Sequence, residues 1–71
     1  MTTGQIVKKA RKKKGLTAEQ LADMSGVTIS TIYNIEADKV SPRMDNMLAI
    51  MRVLGYEIRF MKKYTGGYYD E

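Results

Sequence analysis

Hydrophobic residues recur at intervals of three and four through most of this chain, the spacing of helices that bury one face. In the first such stretch the apolar positions are Ile6, Val7 and Ala10, and Gly15 follows them. Thr2 to Gly4 can cap the stretch, so the pattern predicts a helix that runs to about Lys14.

Two shorter helices are predicted next. Thr17 and, three residues later, Gln20 form a capping-box pattern, which predicts the start of the second helix. The inner side of that helix is predicted to be Leu21, Ala22 and Met24.

The residues Ser25-Gly26-Val27 predict a tight turn. After it, Thr28 is the predicted cap of a third helix over residues 29–36, with Ile32 and Ile35 facing inward.

A fourth helix is predicted from Ser41-Pro42, read as a cap and a proline at the first helical position, to Leu54, with Gly55 ending it. Its predicted inward residues are Met44, Met47, Ile50, Met51 and Leu54.

After Gly55 the pattern alternates, with Tyr56, Ile58 and Phe60 on one side, which predicts a strand. A single strand leaves its backbone groups unpaired, and the simplest partner is the same strand of a second copy. The alternative is an extended tail that rests on the core. We therefore expect a helical domain over residues 1–55, a dimerisation strand over 56–63 and a flexible tail over 64–71.

Length and composition exclude several classes of protein. A chain of 71 residues has room for one domain with a small core. It contains no cysteine and no histidine, so disulfides, the commonest metal ligands and the usual general base are missing. We expect no catalytic residues, no metal and no cofactor. Nothing predicts a signal peptide or a membrane span, so we expect a cytoplasmic protein.

Positive charge is concentrated at the start of the chain. Residues 1–15 carry six lysines and arginines and no acidic residue, although the whole chain has a net charge of only +4. This asymmetry favours a polyanion bound on one side of the molecule, and the alternative is a solvated lysine-rich helix face.

The second and third helices carry a specific pattern, Leu21-Ala22-x3-Gly26-Val27-x4-Ile32-x2-Ile35-Glu36. A small residue at position 22 and a glycine turn allow two short helices to cross steeply. With the flanking segments, residues 4–55 resemble the lambda-repressor/Cro-like (XRE-type) helix-turn-helix domain. The resemblance implies an all-α bundle of four or five helices whose third helix enters the major groove of double-stranded DNA.

The resemblance also implies roles for individual residues. The positions that face base edges are Ile29, Ser30, Tyr33 and Asn34. The resemblance implies phosphate contacts at Thr28, Lys39 and Arg43. Further phosphate contacts are expected from the basic residues Lys12, Lys13 and Lys14.

Arg11 and Glu36 match a family pair that bridges the first and third helices, so we expect a structural ion pair. The chain departs from the family at Ala18, where glutamine is common, and at Asp38, where glycine is usual. Residues 28–35 also hold no charged side chain. Together these features predict that the protein discriminates only modestly between DNA sequences.

Three functions are compatible with this reading. The first is a dimeric repressor or autoregulator that binds a pseudo-palindromic operator, joined through the strand or through the fourth helix. The second is an antitoxin that also binds a toxin, with tyrosines of the tail as anchors. The third is a protein-binding adaptor that uses the same fold.

Overall fold

Four helices make up the part of the chain that the structure describes, residues 1–59 and 62. In this computed structural model they are α1 (Thr3–Lys13), α2 (Ala18–Ser25), α3 (Ile29–Glu36) and α4 (Met44–Val53). The predicted all-α class is therefore confirmed. None of the helices in the described part of the chain has the length and hydrophobicity of a membrane-spanning segment.

The first three helices begin where the capping patterns predict. Thr17 accepts a hydrogen bond from the backbone N–H of Gln20 at 3.0 Å, and the Gln20 side chain accepts one from the backbone N–H of Thr17 at 2.9 Å. Thr2 and Gln5 form the same reciprocal pair at α1. Such boxes satisfy helix donors locally, which is why the sequence alone locates them.

The predicted start of α4 at Ser41-Pro42 is wrong. Arg43 occupies the cap position with an extended backbone, and its side chain makes no capping hydrogen bond. The ring of Pro42 fixes φ near a value that suits both a first helical turn and an extended segment, so proline does not decide between them. Residues 41–43 have no regular secondary structure, and the helix begins only after Arg43.

The core is small and draws on every helix. Its fully buried side chains are Val7, Leu21, Ile32, Ile35 and Ile50, and burying each such side chain contributes about 1.5–3 kcal/mol before the entropy of ordering is subtracted. Two of these residues belong to α3, which packs against both α1 and α2, while α4 packs against α2. The third helix is thus fixed from two sides.

Three residues that were predicted to face the core are exposed: Ile6 (44%), Met24 (59%) and Met44 (53%). Each lies at the edge of its helix's apolar face. Spacing of three and four defines that face but not how far the neighbouring helix covers it. In α2 the covered residues are Ala18, Leu21 and Ala22.

The start of α1 lies directly against the end of α3. A Cβ atom on Gly4 would lie only 2.7 Å from the backbone oxygen of Glu36. Asp38 accepts hydrogen bonds from the Gly4 N–H at 2.9 Å and from the Thr2 hydroxyl at 2.6 Å. Asp38 itself has a φ of +57°, the left-handed conformation that glycine usually supplies. These two hydrogen bonds offset the strain and account for an aspartate at this position.

The segment after α4 is assigned neither helix nor strand over residues 56–59. The Tyr56 N–H donates to the backbone oxygen of Met51 at 2.8 Å, Tyr56 is half exposed, and Ile58 is half-buried. Phe60, Met61 and residues 63–71 lie outside the described residues. Strand pairing between two copies and the flexible tail therefore stay predictions.

Candidate nucleic-acid interface

The turn between α2 and α3 sets the direction of α3. Gly26 has a φ of +75°, and its N–H closes α2 on the backbone oxygen of Ala22 at 2.9 Å. Val27 then enters the core, and Thr28 starts α3. Because Ile32 is fully buried beyond the turn, α3 is anchored by its inner side and presents a fixed outer face.

The outer face of α3 is polar and carries no unpaired charge. Ser30 is exposed, Tyr33 is 56% exposed three residues later, and Asn34 is half-buried one turn after Ser30. Glu36 is the one charged residue of this helix, and it is turned toward Arg11. The face can donate and accept hydrogen bonds, which is the chemistry that reads base edges.

Ile29 differs from the other three predicted base contacts. Its side chain is half-buried and packs against the core. Only part of the Ile29 side chain is therefore accessible, so it could pack against a small apolar group of a ligand but could not be inserted deeply into one.

The amino end of α3 is partly occupied by its own cap. The Thr28 hydroxyl donates to the Thr31 hydroxyl at 2.9 Å and accepts from the Thr31 N–H at 3.3 Å. Its proton is therefore committed within the helix. An anion at this end would be met by the remaining backbone N–H groups of the first turn.

Two lysines lie beside the carboxyl half of α3. Lys8 of α1 and Lys39 after α3 line the same surface depression as Tyr33 and Asn34. Lys39 was among the predicted phosphate contacts, but Lys8 was not. The signal for Lys8 was present, because it lies three residues before Arg11 and so shares the side of α1 that faces α3.

The other predicted phosphate contacts are dispersed. Lys12 and Lys13 lie on the outer surface of α1 in a shallow groove that Lys8 also lines. The ammonium group of Lys14 lies beside Gly55, at the carboxyl end of α4, where helix carbonyls favour a cation. Arg43 contacts Asp45 at 3.2 Å, with both side chains largely exposed.

Arg11 and Glu36 form an ion pair between α1 and α3. Arg11 Nε lies 2.7 Å from one oxygen of Glu36, Nη2 lies 3.1 Å from the other, and Nη1 donates to the backbone oxygen of Leu16 at 2.8 Å. The side chains are only 11% and 7% exposed. The hydrogen bond to Glu36 is the main cause of a raised pKa for Arg11, against the opposing effect of burial. The two charges are thus largely buried against each other, and the pair fixes α3 on α1.

The chain matches a family model described as helix-turn-helix over residues 7–61. The matched stretch contains α2, the turn and the whole of α3.

Curated proteins also resemble it. It is 33% identical over 58 residues to the HTH-type transcriptional regulator PuuR of Escherichia coli, covering 82% of this chain and 31% of that protein. It is 34% identical over 58 residues to the immunity repressor protein of Bacillus phage phi105, covering 82% of this chain and 40% of that protein. An uncharacterized HTH-type transcriptional regulator of Methanothermobacter thermautotrophicus is 40% identical over 52 residues, which cover 73% of this chain and 75% of that protein. The chain thus spans well under half the length of the first two relatives.

Proposed function

Because the chain belongs to the helix-turn-helix family, we propose that it is a sequence-specific DNA-binding transcriptional regulator, acting as a dimeric repressor or autoregulator. Relatives that carry the names of transcriptional regulators and of a phage repressor support the proposal. The role is one of binding, with no catalytic step.

The observation that carries the proposal is the setting of the outer face of α3. Ser30 and Tyr33 are exposed and uncharged, and Lys8 and Lys39 stand beside the same face. A polar face flanked by cations fits a major groove, where bases lie between two phosphate backbones.

Each group of residues has a proposed task. Ser30, Tyr33 and Asn34 face base edges, where asparagine can pair bidentately with adenine, and the exposed part of Ile29 packs on a thymine methyl group. Phosphates are bound by the amino end of α3 at Thr28 and by the cations Lys12, Lys13, Lys14, Lys39 and Arg43. Affinity would come mainly from the phosphates and sequence preference from the α3 face.

Two copies would present two α3 helices about 34 Å apart, one turn of B-DNA, to a pseudo-palindromic operator. Repression follows where that operator overlaps a promoter. The segment with Tyr56, Ile58 and Phe60 is one candidate for joining the copies.

Selection of bound duplexes from a random DNA library at near-physiological salt tests the proposal. The S30A/N34A double variant runs beside the wild-type chain, with Ser41→Ala as the control. Ser41 is an exposed serine before α4, so its loss removes a hydroxyl without changing α3.

We expect a palindromic consensus for the wild type and for Ser41→Ala, and its loss in the double variant. The same weak enrichment for all three proteins would mean purely electrostatic binding. It would reject sequence-specific regulation and favour the protein-binding adaptor.

A further inference from the structure

One apolar side of α4 is only partly covered by the described part of the chain. Met44 and Leu48 are four residues apart and so share this side of the helix, whereas Met51, at its inner edge, packs against the core. Met44 is 53% exposed, and Leu48 is half-buried but lies outside the core cluster that the described residues form. The neighbouring side of α4, with Ile50 and Leu54, is the one that is buried.

Two opposite charges flank this face. Asp45 and Arg52 are seven residues apart, or two helical turns, so they lie on the same edge of the face. Asp45 is 67% exposed and accepts hydrogen bonds from the Arg43 side chain and the Asn46 backbone N–H, and Arg52 forms no ion pair with any described residue. The negative charge is therefore at the start of the helix and the positive charge at its end.

This arrangement is complementary to itself when the helix is reversed. In an antiparallel pair related by a two-fold axis, the same edges of the two helices meet. With the axis midway between residues 48 and 49, Leu48 lies at the centre and each Asp45 faces an Arg52. A parallel pair would instead place like charges at the same level.

We propose that the occupant of this face is a second copy of the chain, and that α4 pairs antiparallel with α4 through Leu48 and two Asp45–Arg52 contacts. The inference rests on the dimer in the proposed function. It assigns the contact between the two copies to α4 and not to the predicted strand.

A contact between two ten-residue helices falls at the small end of specific interfaces, below about 1,200 Å² in total. The dimer is accordingly weak in solution, with a dissociation constant on the order of micromolar, and adjacent half-sites on DNA favour it.

Sedimentation equilibrium without DNA, over a concentration series, tests this geometry by charge exchange. Asp45→Arg or Arg52→Asp alone turns two attractive contacts into two repulsive ones, and we expect dimerisation to weaken about tenfold. The double exchange D45R/R52D restores both contacts with reversed sign, so its dimer should approach wild-type strength. Leu48→Glu should give a monomer, and Met24→Glu, at an exposed methionine of α2, should not. Far-UV circular dichroism checks that each variant folds.

A double exchange as weak as the single variants would overturn the proposal, as would a wild-type chain that stays monomeric throughout. Dissociation by Ile58→Asp but not by Leu48→Glu would also reject it and would assign pairing to the strand. The duplex selection separates this outcome from the proposed function. If the duplex selection gives a consensus but the charge exchange does not restore the dimer, the proposed function stands and only this interface is rejected. If the charge exchange restores the dimer but no consensus is found, the interface stands and only the proposed function is rejected.

Discussion

At the scale of single residues, Arg11 forms the most buried ion pair that the structure describes. It joins α1, α3 and the α1–α2 turn through Glu36 and the backbone oxygen of Leu16. A buried pair gains little over an apolar pair of the same shape, because both charges lose their water. Its effect is instead to make one relative position of α1 and α3 strongly preferred.

Replacing Arg11 with methionine should therefore be severely destabilising. The change leaves the Glu36 carboxylate buried without a partner, and we expect the free energy of unfolding to fall by about 3–5 kcal/mol. Urea denaturation measures this value. Arg43→Met is the matched control, because its pair with Asp45 is exposed and should contribute under about 1 kcal/mol. Equal midpoints for wild type and Arg11→Met would contradict a structural role for the pair.

At the scale of elements, the predictions that hold rest on local chemistry. Reciprocal hydrogen bonds between Thr17 and Gln20 start α2, and the left-handed backbone conformation of Gly26 ends it. Information of that kind is contained in five or six adjacent residues. The start of α4 and the outward position of Met24 depend on how distant segments pack, and spacing along the chain does not contain that information.

The contact between α1 and α3 gives a prediction that opposes helix propensity. Gly4→Ala would be favourable in an isolated helix by up to about 1 kcal/mol. Here the added carbon would lie 2.7 Å from both the Glu36 backbone oxygen and an Asp38 carboxylate oxygen. The two helices must move apart, and we expect a loss of roughly 1–3 kcal/mol in the free energy of unfolding.

Gly26→Ala is the comparison for that variant, measured in the same urea titrations. Nothing lies within 4 Å of the added carbon there, so only the backbone conformation at a φ of +75° is penalised. The expected loss is about 1 kcal/mol. A Gly4→Ala chain more stable than wild type would show that α1 and α3 are not in close contact at this point.

At the scale of the whole molecule, the sequence predicted that cations cluster but not which of them border the outer face of α3. Six of the first fifteen residues are basic, which indicates a polyanion and no particular geometry. In the folded chain Lys8 lies by Tyr33 and Asn34, whereas Lys14 lies at the end of α4. The difference arises from the rotation of α1 about its axis, which the Arg11–Glu36 pair fixes. Composition alone carries no information about that rotation.

Variants of Lys8 and of its neighbour Lys9 test this difference by the salt dependence of DNA binding. Both are exposed lysines of α1 that line the groove with Lys12 and Lys13, but only Lys8 also lines the depression beside α3. Lys8→Gln should weaken binding to all duplex sequences alike and reduce the slope of log affinity against log salt by about 1, because one phosphate contact is lost. Lys9→Gln removes the same charge and should leave the slope nearly unchanged. Equal slopes for the two variants would mean that only net charge attracts the DNA, and that the flank of α3 formed by Lys8 does not touch the phosphate backbone.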